Sequence, residues 1–190
     1  MNSTLLRQTL SALAVVVLLG ASSANSNSQP PQAIAAHRLF WNTTLNDFTM
    51  FSVCAETTGM AVVDGDLVRA ARVLAYGQKS LDRGTDALHR MPPDWRDRVG
   101  PRLSRAALAL AAIGNALHVY MAHGKVSDLK AAQNDQARAE AELVAAADEA
   151  KTSYTAMGGK ASDLENVPHA TQSANAALAS AMGDTDTDDQ

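Results

Sequence analysis

Apolar residues recur at helical spacing along most of this chain, in four stretches separated by polar, glycine-containing or proline-containing breaks. The stretches run over about residues 33–60, 66–91, 101–123 and 127–157. Apolar positions three or four residues apart form one face of an amphipathic helix. In the first stretch this face contains Ile34, Trp41, Leu45, Phe48, Phe51 and Ala55. The pattern therefore predicts four long helices.

Leucine repeats every seven residues in the second and third stretches, at Leu67, Leu74, Leu81 and Leu88 and then at Leu103, Leu110 and Leu117. A repeat of this kind keeps one stripe of a helix against its neighbours at shallow crossing angles. Two further positions on the second stripe are Gly77 and Gly84, and each glycine costs about 1 kcal/mol relative to alanine inside a helix. We therefore expect a bulky side chain of the first helix, among Trp41, Phe48 and Phe51, to pack against them.

The breaks between the stretches contain residues that cap or end helices, namely Asp64 and Asp66, Pro92 and Pro93, Gly124, and Gly158 and Gly159. An aspartate caps the start of a helix, proline cannot continue one, and glycine commonly follows the last turn. Because the connections are short, successive helices should be antiparallel neighbours. The predicted fold is all-α, an antiparallel up-down-up-down four-helix bundle over residues 33–159.

The start of the chain reads as a secretory signal peptide over residues 1–24. Arg7 precedes an apolar run from Leu10 to Leu19, and small residues follow up to Ala24, which is typical of a cleaved signal. The run is too short to cross a membrane, which takes about 20 residues. We therefore expect a mature protein in the periplasm or the extracellular space that does not span a membrane. Residues 25–32 form a polar leader that is predicted to be disordered.

Residues 160–190 are predicted to be weakly helical to disordered. They contain a short fifth helix at about residues 168–182, in which Leu178 is the only large aliphatic residue. The last seven residues, from Asp184 to Gln190, form an acidic tail that we leave unfolded.

Charge is distributed unevenly over the chain. Residues 63–105 contain nine basic and six acidic side chains, a net charge of +3, whereas residues 106–190 contain five basic and twelve acidic ones, a net charge of −7. Phosphate binding draws on clustered lysine and arginine, so the acidic second half argues against nucleic acid as a partner. The alternative is that basic and acidic helices simply lie side by side in the bundle.

Histidines and methionines offer the most plausible places for a cofactor. In an up-down bundle, His37, His89, Met91 and Met157 gather at one end, and His118, Met121 and His123 at the other. Imidazole and thioether groups are ligands that copper or haem iron accepts. The competing interpretation is that these residues are structural or solvated, since methionine is a common filler of helical cores.

Nothing in the sequence indicates catalysis. There is no glycine-flanked nucleophilic serine and no glycine-rich phosphate loop. Cys54 is the only cysteine, so no intramolecular disulfide forms. On the flank of an apolar face it is expected to be an inert core residue, and the alternative is a disulfide between two chains. We therefore expect a protein that is not an enzyme.

Two groups of residues are candidates for contact with a partner. The first is the aromatic group of Phe40 and Trp41, where Phe40 and Leu39 extend the apolar surface around the first helix. In the second, Arg96, Arg98, Arg102 and Arg105 surround the break at residues 100–101. An anionic envelope component fits the arginines. The alternatives are that the aromatic residues anchor the core and that the arginines form a solvated basic face.

The fourth helix has a thin apolar stripe, because it is mostly alanine with Gln136 in the middle. Such a stripe favours either tight packing or self-association.

The sequence thus predicts an exported, non-catalytic helical bundle that acts by binding a protein or envelope component, or itself. The alternative is a haem- or copper-binding bundle that uses the His/Met groups.

Overall fold

The computed structural model describes residues 31–183 and consists there of helices without any strand, as the sequence predicts. The five α-helices are α1 (Pro31–Val63), α2 (Leu67–Leu88), α3 (Val99–His123), α4 (Val126–Ala156) and α5 (Val167–Gly183). Two short 3-10 turns, Pro93–Trp95 and Ala161–Asp163, precede α3 and α5. The signal-peptide prediction, the leader up to residue 30 and the acidic tail from residue 184 lie outside the described residues. Residues 31 and 32, which we placed in the leader, form the start of α1.

Capping residues set the helix boundaries largely where the sequence places them. The Asp66 carboxylate accepts a hydrogen bond from the backbone N–H of Arg69 at 2.9 Å and so caps α2. Gly124 ends α3 in the left-handed conformation, with φ of 68°. Helix α3 begins at Val99, two residues before the predicted start, because Pro101 is tolerated anywhere in the first turn, where backbone N–H groups have no helical partner.

Helices α1 and α2 approach each other closely at the two glycines of the seven-residue repeat. A Cβ atom on Gly84 would lie 2.6 Å from ring carbons of Phe48, and one on Gly77 would lie 2.6 Å from the Cβ of Cys54 and 3.5 Å from Phe51. The expected packing of Phe48 and Phe51 against the glycines is confirmed. Gly84 faces Phe48, whereas Gly77 faces Cys54, so the residue number falls along α2 as it rises along α1. The two helices therefore run in opposite directions.

Helices α3 and α4 form a second close pair. The leucine stripe of α3 is buried, and the mostly alanine stripe of α4 is buried with it, at Ala132, Ala139, Leu143, Ala146, Ala150 and Tyr154. Arg102 and Arg105 of α3 bond to Glu142 of α4. From Ala139 onward the α4 stripe is therefore packed within the molecule, whereas Leu129, Ala132 and Gln136 in its first part border an open space between α1, α3 and α4.

Helix α5 packs along α1, so residues 167–183 belong to the folded unit. At its start, the indole N–H of Trp41 donates to the carbonyl of Glu165 at 2.8 Å, and the backbone N–H of Glu165 donates to Asn42 at 2.8 Å. Near its end, Leu178 is buried in a cluster with Cys54. Helix α5 thus runs in the same direction as α1.

Helix α3 is long and apolar enough to cross a membrane by length and composition, whereas we expected no stretch of this kind after the signal peptide. It is the one such helix among the described residues. Its leucines Leu103, Leu110 and Leu117 are at most 2% exposed within the hydrophobic core. Of its most apolar 18-residue window, however, 33% is buried, and Leu108 is 72% exposed. A single helix of this kind is weak evidence for a membrane span, because core helices and signal sequences pass the same test.

Two glycine substitutions should change stability in opposite directions. Gly84→Ala places a methyl group against the Phe48 ring, so we expect the free energy of unfolding to fall by about 1–2 kcal/mol despite the better helix propensity of alanine. The methyl group of Gly59→Ala meets no atom within 4 Å, so the better helix propensity of alanine should raise the free energy of unfolding by about 0.5–1 kcal/mol. Urea unfolding of both variants measures the difference, and an equal effect at the two positions would contradict the close contact.

Candidate functional site

The principal candidate site is a groove of about 710 Å³ between α1, α3 and α4. Ile113 and Leu117 of α3, each 2% exposed, form part of its lining. Apolar residues of α1 and α4 complete the apolar part of the lining: Ala55, Met60, Val63, Leu129 and Ala132. A volume of this size is typical of small-molecule sites, which are mostly apolar with a few polar groups. The groove is therefore a place where an apolar ligand can lose contact with water.

Helix α1 leaves large apolar side chains exposed where it borders the groove. Met60 is 55% exposed and Val63 is 74% exposed, although both line the groove. Exposed apolar side chains at a concave surface mark a contact site more often than scattered ones do. A ligand in the groove would bury part of this surface.

Gly59 lies on the same face of α1, one residue before Met60. A Cβ atom at Gly59 would meet nothing within 4 Å, in contrast to Gly77 and Gly84, where a Cβ atom would clash with α1. Close helix packing therefore does not account for Gly59. Its lack of a side chain leaves space in the groove.

Acidic side chains border the groove. Glu56, Asp64 and Glu140 are exposed and belong to its lining, and the lining contains no lysine or arginine. No ion pair involves these three carboxylates within the described part of the chain. The groove thus combines an apolar interior with a negatively charged border.

A hydrogen bond joins α1 and α4 beside the groove. The side-chain amide of Gln136 donates to the hydroxyl of Ser52, and both side chains are partly buried. Gln136 is the polar residue that interrupts the α4 stripe, and it belongs to the groove lining itself. This bond holds the two helices together at the point from which the groove opens.

His37 belongs to a polar and aromatic cluster at the other end of α1. Its Nδ1 lies 2.7 Å from the carbonyl oxygen of Ala33, and its Nε2 lies 2.8 Å from the carboxylate of Asp94. The ring of Trp95 meets the His37 ring edge-on, with centroids 4.8 Å apart. Both ring nitrogens face hydrogen-bond acceptors, so neither is available as a metal ligand in this arrangement.

The other members of the first His/Met group lie around the same tryptophan or outside the cluster. Met91 and Met157 are buried in the core cluster that contains Trp95, whereas His89 is exposed. The indole N–H of Trp95 donates to Ser153 at 3.0 Å. The structure therefore places His37 against Trp95, Met91 and Met157 in the core cluster that contains Trp95, and His89 outside it. In this arrangement His37 has no free ring nitrogen for haem or copper.

The second His/Met group is divided between surfaces. His118 and Met121 line a smaller groove of about 540 Å³ between α2 and α3, where Ala71, Leu74 and Gly114 also lie. His123 is exposed at the last residue of α3, five positions after His118, and so faces a different side of the helix. Among residues 31–183, no three His, Cys, Asp or Glu side chains lie close enough to hold a metal ion.

Phe40 and Trp41 are core residues and not a contact surface. Trp41 is fully buried, Phe40 is 9% exposed, and both rings lie edge-on to Trp95 at centroid distances of 6.3 and 6.1 Å. The third aromatic, Trp95, fills the space beside them, which a single-helix pattern does not reveal. Leu39, which we expected to extend the apolar surface together with Phe40, is 69% exposed.

The predicted arginine group separates into two pairs. Arg102 and Arg105 bond to Glu142 at 3.2 and 2.8 Å, so a basic helix and an acidic helix lie side by side. Arg96 and Arg98 are exposed and form no ion pair within residues 31–183. Only this second pair is free to meet an anionic partner.

Cys54 is fully buried, between α1, α2 and α5. Burial raises the pKa of its thiol to about 11, because the charged thiolate is poorly solvated there. The residue is therefore a core residue, as expected.

Comparison with protein-family models, with curated proteins and with solved structures found no match to this chain. No family assignment follows.

Native protein should be nearly inert to thiol reagents at pH 8. The pKa of about 11 and full burial both suppress the thiolate at Cys54, whereas an unfolded cysteine has a pKa near 8.5. Absorbance after adding an aromatic disulfide reagent should rise slowly without denaturant and promptly, to one thiol per chain, in guanidinium. Prompt reaction of native protein would place Cys54 at an accessible site.

Glu142 should contribute stability at neutral pH that acid removes. The hydrogen bond from Arg105, followed by that from Arg102, holds the pKa of Glu142 below its usual value. A lowered folded pKa gives stability that is present above the unfolded value, near 4.3, and lost as pH falls through the folded value. Glu142→Gln should therefore lower the free energy of unfolding by up to about 1 kcal/mol at pH 7.

That deficit should shrink in acid, as measured by urea unfolding between pH 7 and pH 2.5. Glu140→Gln on the same helix is the matched control, because Glu140 forms no ion pair within residues 31–183. A pH-independent deficit in Glu142→Gln would show that its effect comes from packing alone.

Proposed function

We propose that this chain is an exported, non-catalytic binding protein and that the groove between α1, α3 and α4 is its binding site. The single observation that carries the site is Gly59. Gly59 lies inside a helix on the wall of a 710 Å³ groove, and a Cβ atom there would meet no atom within 4 Å. The space that this glycine leaves for a ligand explains it. Export is supported by the signal-like residues 1–24.

The scaffold that we propose is an antiparallel, up-down-up-down bundle of α1 to α4. Opposite chain directions in the α1–α2 pair and in the α3–α4 pair support it. In this scaffold α5 covers α1 and α2 from outside, because Leu178 and Ala174 share a core cluster with Val53 and Val73. A groove between helices of a bundle is a common position for ligand sites.

The haem or copper alternative gains little from the positions of its residues. The His37 nitrogens face Ala33 and Asp94, and His118 shares a groove with Met121 but not with His123. Self-association through the whole α4 stripe gains little as well, because the stripe is buried from Ala139 onward and its first part lines the groove. The groove is therefore the better candidate for contact with a partner.

Export is tested by the mass of the protein from its own host. We expect a chain that begins at Asn25 in the extracytoplasmic fraction, since the small residues Ser22 and Ala24 fit a signal-peptidase site. A matched variant, Ala24→Lys, should keep the full-length mass. Full-length wild type in the cytoplasm would contradict export.

Occupation of the groove is tested by replacing Gly59 with leucine. The new side chain enters open space, so the fold should remain intact while the groove loses volume. We expect a small molecule extracted by organic solvent from the wild type and Gly59→Ala, but not from Gly59→Leu, when each is purified from the host and analysed by mass spectrometry. Equal recovery from all three proteins would place the ligand elsewhere.

A further inference from the structure

We propose that the groove takes a cationic amphiphile, a small molecule with an apolar body and a single positively charged group. This inference rests on the proposed function, because it names the class of ligand for the same groove. Three features of the groove carry it: the sign of the charge at its border, its dimensions and the position of Gly59.

The charge at the border selects for a cation. Glu56 and Asp64 belong to the end of α1 and the turn after it, and Glu140 reaches the groove from α4, so the negative charge lies on two sides. No lysine or arginine belongs to the lining. Because apolar walls lower the local dielectric constant, carboxylates beside them attract a cation more strongly than in open water and disfavour an anion.

The dimensions suit a small molecule with one extended apolar part. Along α1 the lining runs from Ala55 to Val63, and along α4 from Leu129 to Glu140. At a rise of 1.5 Å per residue these segments span roughly 12 and 17 Å. A volume of about 710 Å³ accommodates a drug-sized ligand.

The open space at Gly59 lies close to the charged border of the groove. Gly59 lies between Glu56 and Val63 on the same face of α1, so a ligand that occupies its open space has a carboxylate within one helical turn. The buried side chains of Ile113 and Leu117 supply apolar lining from α3. A molecule with its apolar part on α3 and its cation near Glu56 satisfies both parts of the groove.

Calorimetric titration at low salt with three probes that share one alkyl chain tests the proposal. The probes are dodecyltrimethylammonium, dodecanoate and dodecyl maltoside, each below its micelle-forming concentration. We expect the cation to bind mature protein about tenfold or more tightly than the anion or the neutral probe, with a preference that weakens as salt is added.

Two variants identify the parts of the groove that act. Gly59→Leu should abolish binding of the cation, and Gly59→Ala, with the same gain in helix propensity and little added volume, should retain it. Glu56→Gln combined with Glu140→Gln should reduce the preference for the cation to a few-fold or less. Circular dichroism and urea unfolding verify that each variant is folded.

The outcomes separate the two proposals. Binding of the anion or neutral probe as tight as that of the cation, lost in Gly59→Leu, overturns the cationic class and leaves the groove as the site. No binding of any probe, or binding that Gly59→Leu does not change, overturns the groove itself. A dimer seen by light scattering, abolished by Gly59→Leu, assigns the groove to a second copy and likewise overturns the amphiphile.

Discussion

The close approach of α1 and α2 is the contact on which the rest of the structure depends. Without a side chain at Gly77 and Gly84, α2 comes near enough for Phe48, Phe51 and Cys54 to be fully buried between the helices. The Phe51 ring also reaches α3, where a Cβ on Gly114 would lie 3.3 Å away. One pair of helices thereby positions a third. The helix-propensity cost of the glycines, about 1 kcal/mol each, is offset by dense aromatic packing.

The distribution of side-chain volume along α1 explains why the core is filled around the first part of this helix and why a groove remains beside its last part. All three phenylalanines and Trp41 lie within residues 40–51, and Trp95 packs beside them. From Ala55 onward the groove-facing positions of α1 hold an alanine, a glycine and charged or exposed residues. Too little volume remains there to fill the space between three helices. The groove is thus a direct consequence of which residues α1 places at its second half.

Periodicity and caps predicted the helices well, because both act within one segment: Asp66 caps α2 and Gly124 ends α3 as expected. The contact of Gly77 and Gly84 with α1 was predictable too. Two glycines on a buried helix face each lower helix propensity, and close packing against a neighbouring helix offsets that cost. The groove was not predictable, because an unfilled space depends on distances between helices. The pairing of His37 with Asp94 joins residues 57 positions apart, which no local spacing signals. A glycine inside the amphipathic α1 was the one sequence signal of the groove, and only its empty surroundings distinguish Gly59 from Gly77.

An open groove is a stability cost that this chain must balance without a covalent link. With Cys54 as its only cysteine it has no intramolecular disulfide, and half-exposed Met60 contributes less burial than a core residue would. The aromatic residues around Trp95 offset this loss of burial. His37, Phe40 and Trp41 contact the Trp95 ring, and the indoles of Trp41 and Trp95 both donate hydrogen bonds. Because His37 and Trp41 lie near the start of α1 and Ser153 near the end of α4, the contacts of Trp95 join these two helix ends. The groove lies toward the opposite ends of the same two helices, where no such contacts fill the space.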